Sequence, residues 1–235
     1  MAALGLAACN SADSDTASKS PTSKSSSPTE AGSKPNGVEK RSAAAIYNAA
    51  HQANAEAGSF VETRTQPDTK ARLALSATEC AGTVSKTGLG SYEIIVKGND
   101  VWAKLDAQLA KSVERMAGPG ASLPAGTWLH GPSSHGLLKG LASYCHTEQF
   151  RTPDTASVKL TKGAATEMNG QPAIPVILDG GNGARVTYYV ATTGEPRLLK
   201  QASTSKAVPT LAYSDFGKPV GAKAPSGKVV EAPTD

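Results

Sequence analysis

The stretch HGPSSHG, residues 130–136, sets Ser133 and Ser134 between the imidazoles of His130 and His135. A serine becomes a nucleophile when a base takes its proton and a third group orients that base. Neighbours along a Pro-containing loop do not meet that geometry, and the chain has no Gly-x-Ser-x-Gly elbow. The segment reads instead as a loop in which Ser133 or Ser134 caps the helix that follows. Gly180-Gly181-Asn182-Gly183 precedes no helical pattern, so it reads as a hairpin turn and not as a phosphate cradle. There is no His-Glu-x-x-His motif, and the acidic residues are dispersed. No catalytic residue, resident metal or cofactor is assigned, and the expectation is a protein that is not an enzyme. A hydrolase built on Ser134 and His135 is the minor alternative.

Composition narrows the classes further. A net charge of +4 is spread along the chain with no basic stripe interleaved with aromatics, which argues against nucleic acid as a partner. No apolar run approaches the roughly 20 residues of a spanning helix. With 39% hydrophobic and 5% aromatic residues, the core must be modest and built from small aliphatic side chains. Fifteen prolines and 23 glycines favour many turns and short strands over a helical bundle.

Leu6-Ala7-Ala8-Cys9 resembles the bacterial lipobox, Leu followed by two small residues and Cys. The resemblance implies cleavage between Ala8 and Cys9, leaving 1–8 as a signal-peptide remnant. It also implies a diacylglyceryl group and palmitate on Cys9, which anchor the chain to the cell membrane on its extracytoplasmic face. Two or more acyl chains give stable attachment. No Lys or Arg precedes Cys9 and the apolar part is only Ala2 to Ala8, so translation is expected to start upstream of Met1. Residues 9–40 carry the lipidated cysteine and a tether of Ser, Thr, Pro, Lys and Gly, in which Val38 is the only large aliphatic. Such a segment buries too little apolar surface to order itself and reaches about 30 Å r.m.s..

With Cys9 set aside, Cys80 and Cys145 remain, and an even pair in an exported domain reads as a disulfide. The long loop it closes corresponds to about 4 kcal/mol in the chain-entropy argument. Two alternatives stand beside it: buried free thiols, or a metal site with His146. A metal site would want four ligands of sensible spacing, which a remote Cys80 and the pair His130 and His135 do not offer.

The elements that must position these residues begin with a helix over 41–57, capped by Ser42 and stopped by Gly58. Its face of Ile46, Ala49, Ala50, Ala53 and Ala57 should lie close against a sheet. Strand patterns follow at 59–65, 70–78, 80–87, 91–98 and 100–106, with a hairpin signal at Gly98-Asn99-Asp100. A helix is expected over 105–117, a short strand or turn over 126–132, and a second helix over 133–150. Strands return after Pro153 and alternate with turns to the final edge LAYSDFGKPV. The sum is α+β: a strongly curved antiparallel sheet, an incomplete β-barrel, wrapped around helices.

That order, together with CAGTV, GSYEIIVKGNDVWAKLD, LASYC and YSDFGKPVGAKAPSGKVVE, resembles the LolA/LppX/LprG-like lipoproteins of actinobacteria of the streptomycete type. The likeness spans 41–232 and implies a domain whose sheet can hold a lipid or other hydrophobe in its hollow. The lining would come from Leu73, Leu75, Ile94, Val96, Trp102, Leu138, Leu141, Val186, Tyr188 and Val190, with acyl chains bound by desolvation in a dry apolar groove. The rival expectation keeps the anchor and fold but has no ligand: a non-enzymatic cell-envelope interaction or accessory lipoprotein. The low aromatic content favours it.

Overall fold

The computed structural model describes residues 34–117, 122–145, 159–180 and 183–233. The lipobox, Cys9 and the tether up to residue 33 lie outside the described residues, as does His146.

Folding starts earlier than the sequence pattern suggests. Asn36 donates its side-chain amide to the carbonyls of Ala191 and Gly194, at 3.1 and 3.0 Å. Val38, in a short 3-10 turn, is only 1% exposed and belongs to the core. The segment 34–40, expected as tether, is therefore part of the domain, because its one large aliphatic residue has a core to enter.

Helix α1 (Ala43–Glu56) begins where Ser42 Oγ accepts a hydrogen bond from the Ala45 amide. It ends at Gly58, whose φ of +71° is left-handed. It buries Ile46, Ala50, Ala53 and Asn54, and the small residues let it approach the sheet closely. The Asn54 side chain completes the contact by bonding both the amide and the carbonyl of Leu198.

An antiparallel meander follows: β1 (Ser59–Thr65), β2 (Thr69–Ser76), β3 (Glu79–Lys86), β4 (Gly90–Lys97) and β5 (Asp100–Leu105). Alternation sets the buried face, with Ala71, Leu73 and Leu75 of β2 inside and Lys70 and Arg72 outside. Gly82 permits a tight crossing, since a Cβ there would sit 2.0 Å from the Arg72 carbonyl oxygen.

Helix α2 (Ala107–Ala117) starts at Asp106, whose carboxylate accepts from the Leu109 amide and from the Ser91 amide and hydroxyl, each at 2.7 Å. Burial acts to raise the Asp106 pKa, but these hydrogen bonds outweigh it and hold it below its ordinary value. Gly90 leaves room for this contact: a Cβ would meet Asp106 Oδ1 at 2.5 Å.

Strand β6 (Trp128–Pro132) returns beside β5, and α3 (Gly136–Leu141) follows. The helix expected to run through residue 150 ends at Leu141 and gives way to a 3-10 turn over Ala142–Tyr144. Cys145 there leaves helical geometry and is disulfide-bonded to Cys80 of β3. The covalent link competes with the helix for the chain's path.

The remaining strands are β7 (Leu160–Lys162), β8 (Thr166–Met168), β9 (Gln171–Asp179), β10 (Arg185–Ala191), β11 (Leu198–Ser203) and β12 (Thr210–Ser214), the last pairing with β1. A final strand, β13 (Val229–Glu231), pairs parallel with β6. It was not expected, because three residues carry too little pattern to read. The sheet runs in the order β13-β6-β5-β4-β3-β2-β1-β12-β11-β10-β9-β7, with β8 on β9. Among the described residues its two end strands do not pair with each other, so the curved sheet stays open around helices α1, α2 and α3. This is the α+β architecture expected from the sequence.

Candidate functional site

The buried face of the sheet is the candidate site. One row across neighbouring strands runs Phe60, Leu75, Cys80, Val96 and Val101. The next runs Tyr213, Glu62, Leu73, Gly82, Ile94, Ala103 and Leu129. The third runs Leu211, Arg64, Ala71, Val84, Tyr92 and Leu105.

Most residues proposed as lining meet here. Leu73, Leu75, Ile94, Leu138, Leu141, Tyr188 and Val190 are buried in one apolar cluster, and Val96 and Val186 pack against it half-buried. Trp102 is a correction. Strand parity turns it to the other face, where its ring stacks on His130 at 5.0 Å.

The sequence reading missed the charged part of this face. Glu62 is 1% exposed, and its carboxylate lies 3.2 Å from Arg64 Nη2. Arg64 Nε is buried with no hydrogen-bond partner. The guanidinium lies 5.8 Å from the centre of the Tyr144 ring, and Lys86 Nζ lies 5.4 Å from the same ring. Tyr92 reaches α3 by donating its hydroxyl to the Leu141 carbonyl at 2.8 Å.

On the other side of Glu62, Tyr213 is buried and its pKa is raised, by burial first and then by the Glu62 charge. Tyr47 of α1 meets Tyr188 edge-on at 4.8 Å, and burial pushes both hydroxyls up. His51 lies 4.5 Å from Tyr47, with its Nε2 buried and unpartnered. The face is therefore apolar along its length and polar at its middle. The signal was present in the sequence: Phe60, Glu62 and Arg64 alternate along β1, so the period that buries Phe60 also turns both charges to that face.

The residues that first suggested chemistry go elsewhere. His130 lies on the outer face between two carboxylates, Nδ1 3.0 Å from Glu231 and Nε2 3.1 Å from Asp100. The Glu231 contact, followed by Asp100, raises its pKa. Ser133 donates to Asn99 Oδ1 at 2.6 Å, and His135 Nε2 lies 2.8 Å from the Pro233 carbonyl. Both histidines thus hold the segment around β13. Trp128 also faces outward, beneath Lys104 at 5.0 Å. The disulfide excludes free thiols and a thiolate metal site at Cys80 and Cys145.

No family model matches the chain, and no curated protein does. Among solved structures, the chain is similar to an uncharacterized conserved protein from Thermus thermophilus at 11% identity and a TM-score of 0.39, over 80% of this chain and 97% of that one. It is similar to MucB at 12% identity and a TM-score of 0.36, over 78% and 60% of the two chains. A LolA superfamily protein from Nitrosomonas europaea matches at 16% identity and a TM-score of 0.25, over 74% and 92%. What this chain does must be read from its own residues.

Proposed function

We propose that the protein is a membrane-anchored extracytoplasmic lipoprotein that takes a hydrophobic ligand between the buried face of its sheet and the helices over it. One observation carries the reading: among the described residues, the apolar rows of an open sheet are packed against helices and not against a second sheet. Short helices can separate from a sheet without breaking its ladders, which exposes an apolar face to an acyl chain at about 0.8 kcal/mol per methylene buried. The lipobox-like Leu6-Ala7-Ala8-Cys9 supports the anchor, and the Cys80–Cys145 disulfide suits an oxidising space outside the cytoplasm.

Protein purified from its own membrane should carry an acylated Cys9 by intact mass, and solvent extraction should release a co-purified lipid. An unmodified amino terminus would overturn the anchor. An empty extract, together with failure to bind fluorescent fatty acids, would overturn the ligand. A second reading, an envelope interaction or accessory lipoprotein with no ligand, is favoured by one fact: Leu73, Ile94 and Val190 are already 0% exposed. That empty extract is the result it expects.

A further inference from the structure

We infer that the ligand is an amphiphile with a monoanionic head group, a carboxylate or a phosphodiester, and that Arg64 and Lys86 receive that group where the Tyr144 ring now lies. The inference rests on the hydrophobic-ligand reading above and assigns the head group's place within it.

Three observations carry it. Charge balance comes first: among the described residues two cations, Arg64 and Lys86, lie 5.8 and 5.4 Å from the centre of one ring, and the Glu62 carboxylate is in contact with Arg64. One positive charge is left over, which suits a single negative charge. Hydrogen bonding comes second. The guanidinium has five N–H donors in a planar fork. It directs Nη2 at Glu62, while Nε is buried without an acceptor. A buried N–H without a partner is destabilising, and an anionic oxygen would remove that cost with a charge-assisted bond.

Position comes third. Arg64 shares its row with Leu211, Ala71 and Val84, and the next row holds Leu73 and Ile94, so an acyl chain running from the head group stays on apolar side chains. Both cations are attracted to the π face of the Tyr144 ring, an interaction that an anion would replace.

The test compares a dansyl-labelled undecanoic acid with its methyl ester, and a fluorescent-chain phosphatidylglycerol with the zwitterionic phosphatidylcholine. The expected result is at least about tenfold tighter binding of the anionic member in one pair, because hydrogen bonds to charged groups contribute roughly 1.5–3 kcal/mol. The pair that discriminates identifies the source, fatty acid or phospholipid. Lys86→Gln should reduce the preference for the anionic member by several-fold. Arg64→Gln removes the cation beside the buried Glu62 carboxylate and can unfold the domain, so the companion variant is the double change Glu62→Gln with Arg64→Gln. A role confined to holding Tyr144 would shift melting temperature but not the acid-to-ester ratio. Equal binding within both pairs overturns the head-group site while keeping a hydrophobic ligand. Failure of all four probes to bind overturns both.

Discussion

The His51 ring lies beside the rings of Tyr47 and Tyr188, and burial pushes its pKa from 6.5 down to about 4. The sign follows from that direction. His51 is neutral in the fold and more readily charged when unfolded, so its contribution is complete above about pH 6.5 and is lost as pH falls toward 4. That gap corresponds to about 3 kcal/mol as an upper figure. His130 has the opposite sign. Its carboxylate neighbours raise its pKa above 6.5, so it stabilises the fold at low pH and the contribution is lost as pH rises through the folded value. An NMR titration should therefore place His51 near 4 and His130 above 6.5 in the same spectrum. His51→Phe should flatten the loss of stability between pH 6.5 and 4 in urea melts; an unchanged slope would show that acid acts elsewhere.

At the scale of elements, the turn Ala142–Tyr144 and the helix before it are fastened to β3 by the disulfide. The bond joins residues 65 apart in sequence, for which restricting the unfolded chain predicts about 4 kcal/mol. Replacing both cysteines by alanine should lower the urea midpoint by up to that equivalent. The tyrosine fluorescence of the charged middle should change as well, since Tyr144 is held next to the link. The strands and α1 were readable from alternation, turns and the Ser42 cap. The length of α3 was not, because helix-compatible residues continue past Leu141 while the bond from Cys145 to a strand distant in sequence redirects the chain.

For the whole molecule, the open sheet needs its amino-terminal segment. Val38 enters the same cluster as Leu198, Val176 and Ile46, which joins residues before α1 to strands from the second half of the chain. Val38→Ala should cost about 2 kcal/mol through lost burial and an unfilled space, read as a fall in thermal midpoint. A change below a few tenths would mean that the segment is not integral to the core. The proposed ligand uptake belongs at this scale too: α1, α2 and α3 lie on different parts of one continuous sheet, and separating one of them from it would open the apolar face.

By itself the sequence determined the fold class, the five-strand meander, the buried faces of β2, β4 and β10 and the pairing of its two distant cysteines. Alternation sets faces and glycine and asparagine set turns locally, while an even pair of cysteines in an exported domain points to a cross-link. Only the tertiary structure decided that Glu62 and Arg64 face inward beside Lys86 and Tyr144, that Trp102 faces out, and that β13 joins β6. Those facts depend on register between strands and on residues far apart in the chain meeting across them. A lone charged pair in one strand says nothing about what the sheet's curvature will bring against it.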